Sequence, residues 1–146
     1  MSNTARSTVE ETIVRGILNL LPEVSGCVKT PAWNAETIPE GTGVIAAEIT
    51  KKEQVVFGYP NWWIYLSVMG QTFVSCDPDR KKICAIHDAV LAAVSAWTPA
   101  FLSGAMPAGA AVKGILPMGN VMIRENDEKR AFNVDLKLAV TDLTFN

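Results

Sequence analysis

The sequence predicts an α+β fold, a two-layer sandwich in the order helix, strand, strand, helix, strand, strand. Two helices cover one face of a mainly antiparallel four-stranded sheet. Three observations carry that expectation. Residues 130–140 alternate almost without a break, with Phe132, Val134, Leu136, Leu138 and Val140 on one side and Asn133, Asp135, Lys137 and Thr141 on the other. Successive side chains of a strand point to opposite faces, so one face of this strand meets a core and the other meets water. Two segments repeat apolar residues at helical spacing between recognisable start and stop residues. Residues 62–73 are apolar on both sides, which suits a central strand or one whose second face meets another protein.

Composition narrows the class. The 146 residues fit one domain, 1–146, with enough chain for a real core. An apolar fraction of 49% with 19% charged residues points to a folded globular protein. A net charge of −2 offers no overall basic field for sequence-specific nucleic-acid binding. The short basic groups Lys51-Lys52, Arg80-Lys81-Lys82 and Lys129-Arg130 are expected to solvate element ends. No apolar run is long enough to cross a bilayer and no signal-peptide segment opens the chain, so a soluble intracellular protein without membrane partners is expected. Cys27, Cys76 and Cys84 form no Cys-x-x-Cys pair, which suits reduced, mostly packed thiols. With His87 the one histidine, no metal or other cofactor is expected.

The elements follow in order. Ser7-Thr8-Val9-Glu10 matches a capping box, Val9, Ile13, Ile17, Leu20 and Leu21 recur at helical spacing, and Pro22 marks the stop. Residues 22–42, with three prolines and two glycines, read as an irregular connector anchored by Trp33. Residues 43–50 read as a strand. Residues 51–61, charged at the start and turn-like at the end, read as an excursion joining it to the antiparallel strand 62–73. Asp77 is placed to cap the second helix with Pro78 at its first position. Ile83, Ile86, Val90, Val94 and Trp97 form its apolar stripe and Pro99 its end. Residues 99–111 read as a flexible small-residue loop or arm. Residues 112–124 read as a strand bent around Pro117-Met118-Gly119-Asn120, and Asn126-Asp127-Glu128 as the turn into the last strand.

No reaction motif appears. His87 lies beside an apolar stripe, and no Ser, Cys or Asp motif nominates a nucleophile for it, so the chain is not read as an enzyme. The candidate surface residues are Lys51, Lys52, Glu53 and Gln54, in the excursion where exposed loops carry recognition, and Lys137 on the wet face of the last strand. Trp62 and Trp63 join them, with sheet packing, a subunit interface and ligand stacking all open.

This order of elements resembles the tail-terminator (tail-completion) proteins of long-tailed bacteriophages, including the lambda-like group. The likeness lies in the capped first helix, the Pro/Gly connector, the strand 44–50, the polar excursion, the tryptophan-led strand 62–68, the Asp77-Pro78-Asp79 helix start and the alternating strand 132–140. It spans nearly the whole chain and rests on order and spacing. The resemblance implies a virion protein, assembled in the host cytoplasm, that forms a hexameric ring on the head-proximal end of the tail tube. Its partners would be further copies of itself, the tail tube protein and a head-completion or connector protein. Residues 96–112, hydrophobic and glycine-rich, depart from the family pattern. Two alternatives stand beside it: another phage neck or baseplate component, and a small ligand-binding or enzymatic α+β domain of ferredoxin-like type.

Overall fold

The computed structural model describes residues 8–145. Helix α1 runs Thr8–Leu20 and buries Ile13, Val14, Ile17 and Leu18, one stripe of an amphipathic helix. Ser7, the expected cap, lies outside the described residues. Glu10 and Glu11 occupy the first turn, where the helix dipole favours negative charge.

The connector expected over 22–42 instead contains strand β1, Cys27–Pro31, and a 3₁₀ turn, Ala32–Thr37. β1 pairs in parallel with β2, Gly43–Gln54, from Cys27 opposite Gly43 to Pro31 opposite Ala47. Five residues are too few to show a periodicity, and the hydrogen bonds that define this strand come from a partner far along the chain. Pro31 is tolerated because the strand lies at the sheet edge.

β2 then pairs antiparallel with β3, Trp62–Phe73, with an irregularity between Ile49 and Lys51. The expected loop therefore begins later than the charge pattern suggested: Lys51, Lys52, Glu53 and Gln54 belong to β2 and sit opposite Tyr65, Ile64, Trp63 and Trp62. β1 reaches only as far as Ala47, so this charged half of β2 is an edge, where polar side chains are accommodated.

Helix α2, Lys81–Ala96, buries Ile83, Ile86 and Val90. Pro99 starts a short helix α3, Pro99–Ser103, and residues 99–111 are not a free arm, because Leu102, Ala105 and Met106 are buried. Strand β4, Ala111–Met118, ends earlier than expected, and β5, Arg124–Glu125, is a separate short strand. β6, Lys129–Thr141, alternates buried and half-buried residues over its whole length.

Among the described residues the sheet is mixed and six-stranded, in the order β1-β2-β3-β6-β4 with β5 also paired to β6. The α+β class holds, while the four-stranded, mainly antiparallel description omitted β1 and β5. The expected central place of the Trp62 strand is observed, since β3 lies between β2 and β6. One core joins the helices to the sheet through Ile13, Ile17, Ile45, Leu66, Ile86 and Leu136. Gly70 sits opposite Phe132 in the β3–β6 register, and a Cβ there would come within 2.4 Å of the Phe132 ring and 2.6 Å of Ile86. Its missing side chain is the space into which α2 and the Phe132 ring pack.

Candidate interaction surface

The register of β2 and β3 ends at Gln54 opposite Trp62, and residues 55–61 form the turn beyond it. Val55 N–H donates to the Asn61 carbonyl at 2.9 Å and Tyr59 N–H to the Val56 carbonyl at 3.0 Å. Gln54 clasps this turn from below. Its Nε2 donates to the Tyr59 carbonyl at 2.7 Å and its Oε1 accepts from Gly58 N–H at 3.2 Å. Gly58 has φ +88°, a conformation that favours glycine. The backbone polar groups are turned inward on one another and on Gln54, which leaves the apolar side chains outward. Val55, Val56, Phe57 and Tyr59 are 51%, 54%, 94% and 61% exposed.

The expected surface residues divide by strand face. On the face away from the helices, Lys137 Nζ lies 4.3 Å from the Trp63 ring centre and 5.4 Å from that of Tyr65. Lys51 Nζ lies 5.1 Å from the Tyr65 ring and 3.6 Å from the Glu53 carboxylate. Tyr65 Oη donates to Glu53 Oε1 at 2.6 Å, and that bond, with Lys51 and Lys137 nearby, holds the Glu53 carboxyl below its usual value against a smaller desolvation effect. Four expected residues, Lys51, Glu53, Trp63 and Lys137, thus meet around one aromatic pair.

The other three have different places. Lys52 Nζ pairs with Glu10 Oε1 of α1 at 2.6 Å and lies 4.2 Å over the Phe145 ring. Trp62 Nε1 donates to the Leu143 carbonyl at 2.8 Å and its ring meets Phe145 edge-on at 4.9 Å, so it pins the end of the chain to the sheet. Gln54 holds the turn. The irregularity after Ile49 sets which of these residues falls on which face, and no local sequence signal marks it.

Further along the face away from the helices, Glu48, Tyr65, Met69, Met118, Arg124 and Asp135 line part of a groove of about 700 Å³. The side expected to be simply wet is therefore half-covered, and Asn133, Ala131 and Asp135 are half-buried in it.

A second polar cluster is internal. Asp77 was expected to cap α2 with Pro78 at its first position, but the helix starts at Lys81 and Arg80 precedes it in a left-handed conformation, φ 65°. Asp77 still receives the helix amides: its carboxylate accepts from Lys82 N–H at 2.9 Å, Ile83 N–H at 3.0 Å and the Thr72 hydroxyl at 3.1 Å. Burial pushes this carboxyl up, and the two amides, the Thr72 hydroxyl and the Arg130 guanidinium together hold it below its ordinary value. Arg130 is buried, not solvating a strand end. It donates to the Asp77 carbonyl through Nη1 and to Glu125 Oε1 through Nε at 2.6 Å. The alternation of β6, which puts Arg130 in phase with Phe132 and Val134, was the signal that could have placed it inside.

His87 Nδ1 lies 3.0 Å from Asp88 Oδ1 and its ring meets Phe132 edge-on, with no nucleophile among these partners. Cys27 is half-buried, and burial raises its thiol pKa; Cys76 and Cys84 are exposed rather than packed. Among the described residues no three His, Cys, Asp or Glu side chains are grouped to hold a metal, and no helix is long and apolar enough to cross a membrane. No family model matches this chain, and no curated protein matches it.

Proposed function

We propose that this chain is a structural subunit that assembles with copies of itself into a ring, in the manner of the phage tail terminators its element order resembles, and that it catalyses no reaction. In that role it would cap a tail tube and offer the other side of the ring to a head-completion protein. The observation that carries the reading is the exposed apolar turn at residues 55–59, held rigid by Gln54. Contiguous exposed apolar surface marks an interaction site, and this one is too ordered to be a slack loop. A closed ring needs two different complementary patches on each subunit, and the sheet carries a projecting turn at one end and a groove further along.

Native mass measurement and negative-stain imaging over rising protein concentration, alone and with tail tubes, test the proposal. Closed rings are expected, on the tube end if not in free solution. A particle that stays monomeric in both settings overturns it. The groove also favours a second reading, a small-ligand domain, because binding sites are clefts of this size. Monomeric protein whose melting temperature rises with a small molecule, and not with tubes, would select that reading.

A further inference from the structure

We infer that the groove on the open face of the sheet binds a primary ammonium group carried on an unbranched aliphatic stem, held between Glu48 and Asp135 above Ser67. The inference goes beyond the ring reading and does not depend on it, because the site lies within one subunit.

The strand register builds the site. On the face away from the helices, β2, β3, β6 and β4 place Glu48, Ser67, Asp135 and Met118 side by side in one row across the sheet. Neighbouring side chains in such a row start about 4.5–5.5 Å apart, and serine is the shortest of the four. Ser67 is therefore the floor of a pit whose two walls are carboxylates. All four residues line the groove of about 700 Å³.

Two features of the pit call for a partner from outside the chain. The first is the Ser67 hydroxyl. The residue is 5% exposed, and its hydroxyl makes no hydrogen bond to a described residue. No sealed side-chain oxygen among the described residues is without a partner, so this one opens into the groove that it lines. Burying a hydroxyl is costly unless something meets it.

The second feature is charge. Glu48 and Asp135 are both half-buried, and neither forms an ion pair with a described residue. The nearest cations are drawn to other groups: Lys51 is held at Glu53, and Lys137, next to Asp135 on this face of β6, lies over the Trp63 ring. Arg124 sits opposite Ala131, four residues along β6 from Asp135, about 13 Å at the rise of an extended strand. Asn133 Nδ2 donates to Asp135 Oδ2 at 2.9 Å, which orients that carboxylate beside the pit.

The donor set names the ligand. A primary ammonium has three N–H donors and no acceptor, matching Glu48, the Ser67 hydroxyl and Asp135 one for one. Met69, the next residue of β3 on this face, and Met118 supply unbranched thioether walls that suit a methylene stem. A hard divalent cation such as calcium takes about six to eight oxygen ligands, a poorer match to this pit. The ammonium can arrive on a free alkylamine or on the lysine side chain of another chain, which present the same group.

Calorimetric titration at low salt tests this with cadaverine, with N-acetyl-lysine amide, and with tetramethylammonium, which carries the charge without a donor. Wild-type protein is expected to bind cadaverine with a Kd of about 1 mM or tighter. Tetramethylammonium should bind at least about tenfold more weakly. Glu48→Gln and Asp135→Asn, each with an unchanged circular dichroism spectrum, should weaken cadaverine about tenfold or more, and Ser67→Ala about threefold or more. N-acetyl-lysine amide binding as well extends the site to lysine side chains of other chains, whereas cadaverine alone restricts it to free amines; both results support the inference. It is overturned if neither amine binds, if tetramethylammonium or calcium chloride binds as tightly as cadaverine, or if both carboxylate variants bind like wild type. None of these outcomes bears on ring formation, which mass measurement and imaging decide separately.

Discussion

At the Thr72 end of the β3–β6 pair a guanidinium and a carboxylate are buried, whereas beyond the Trp62 end four apolar side chains stand in water. Both arrangements run against the usual sorting of residue types, and they are resolved differently. Arg130 and Asp77 have their partners inside the molecule: Glu125, Thr72 and the first amides of α2. Among the described residues no buried side-chain nitrogen or oxygen lacks a hydrogen bond. Such a network adds little over a well-packed apolar cluster, yet breaking it is costly because a charge is left alone. Phe57 and its neighbours have polar backbone order beneath them and nothing over them. An anomaly with internal partners is explained by folding; the exposed turn at residues 55–59 has no such explanation within the fold.

Substitutions test the contrast at decreasing cost. Leu136→Asp places a carboxylate in the core midway between the two ends, where no partner waits, and should unfold the domain, a loss of about 5 kcal/mol or more seen as a collapsed thermal transition. Folded Leu136→Asp protein would mean that this face of β6 is not the core face. Arg130→Met leaves Asp77 buried without its cation and should cost about 3–5 kcal/mol in denaturant melts. If the variant is as stable as wild type, the buried network does not behave as a charge pair.

Acid sharpens the same point. The folded state holds the Asp77 carboxyl below its ordinary value, so the unfolded chain binds its proton first as pH falls. The contribution of Asp77 is therefore complete above the ordinary aspartate range near about 3.9, and is lost as pH falls through the lower folded value. Asp77→Asn should flatten the stability profile below about pH 4 in urea melts recorded across pH. An unchanged slope would show that other carboxylates carry the acid sensitivity.

The outward end should respond weakly in the monomer. Phe57→Ser is expected to shift folding stability by less than about 0.5 kcal/mol, since the ring touches little of its own chain. Lys137→Glu should cost about 1 kcal/mol or less, the loss of its cation–π contact with Trp63, with the dichroism spectrum unchanged. A large loss of stability in Phe57→Ser would place that ring in the fold and remove the contrast.

Elements whose side chains report their own surroundings were legible in advance. β6 was read from its alternation, β3 from its apolarity on both sides, and α1 and α2 from their stripes, because burial acts on each of these segments over many consecutive residues. β1 and the Lys51–Gln54 half of β2 were not, since their pairing is a property of distant backbone, and a one-residue irregularity after Ile49 reassigns every later side chain to a face. The same cause split the candidate surface. Lys51, Glu53, Trp63 and Lys137 meet across three strands, while Lys52 and Trp62, their neighbours in sequence, serve the opposite face. Composition and periodicity reached the class of fold and most of its core, because hydrophobic burial is written residue by residue. The turn held by Gln54, the groove beside Met69 and the buried Arg130 had to wait for the folded chain, because each is made of groups that only long-range pairing brings together.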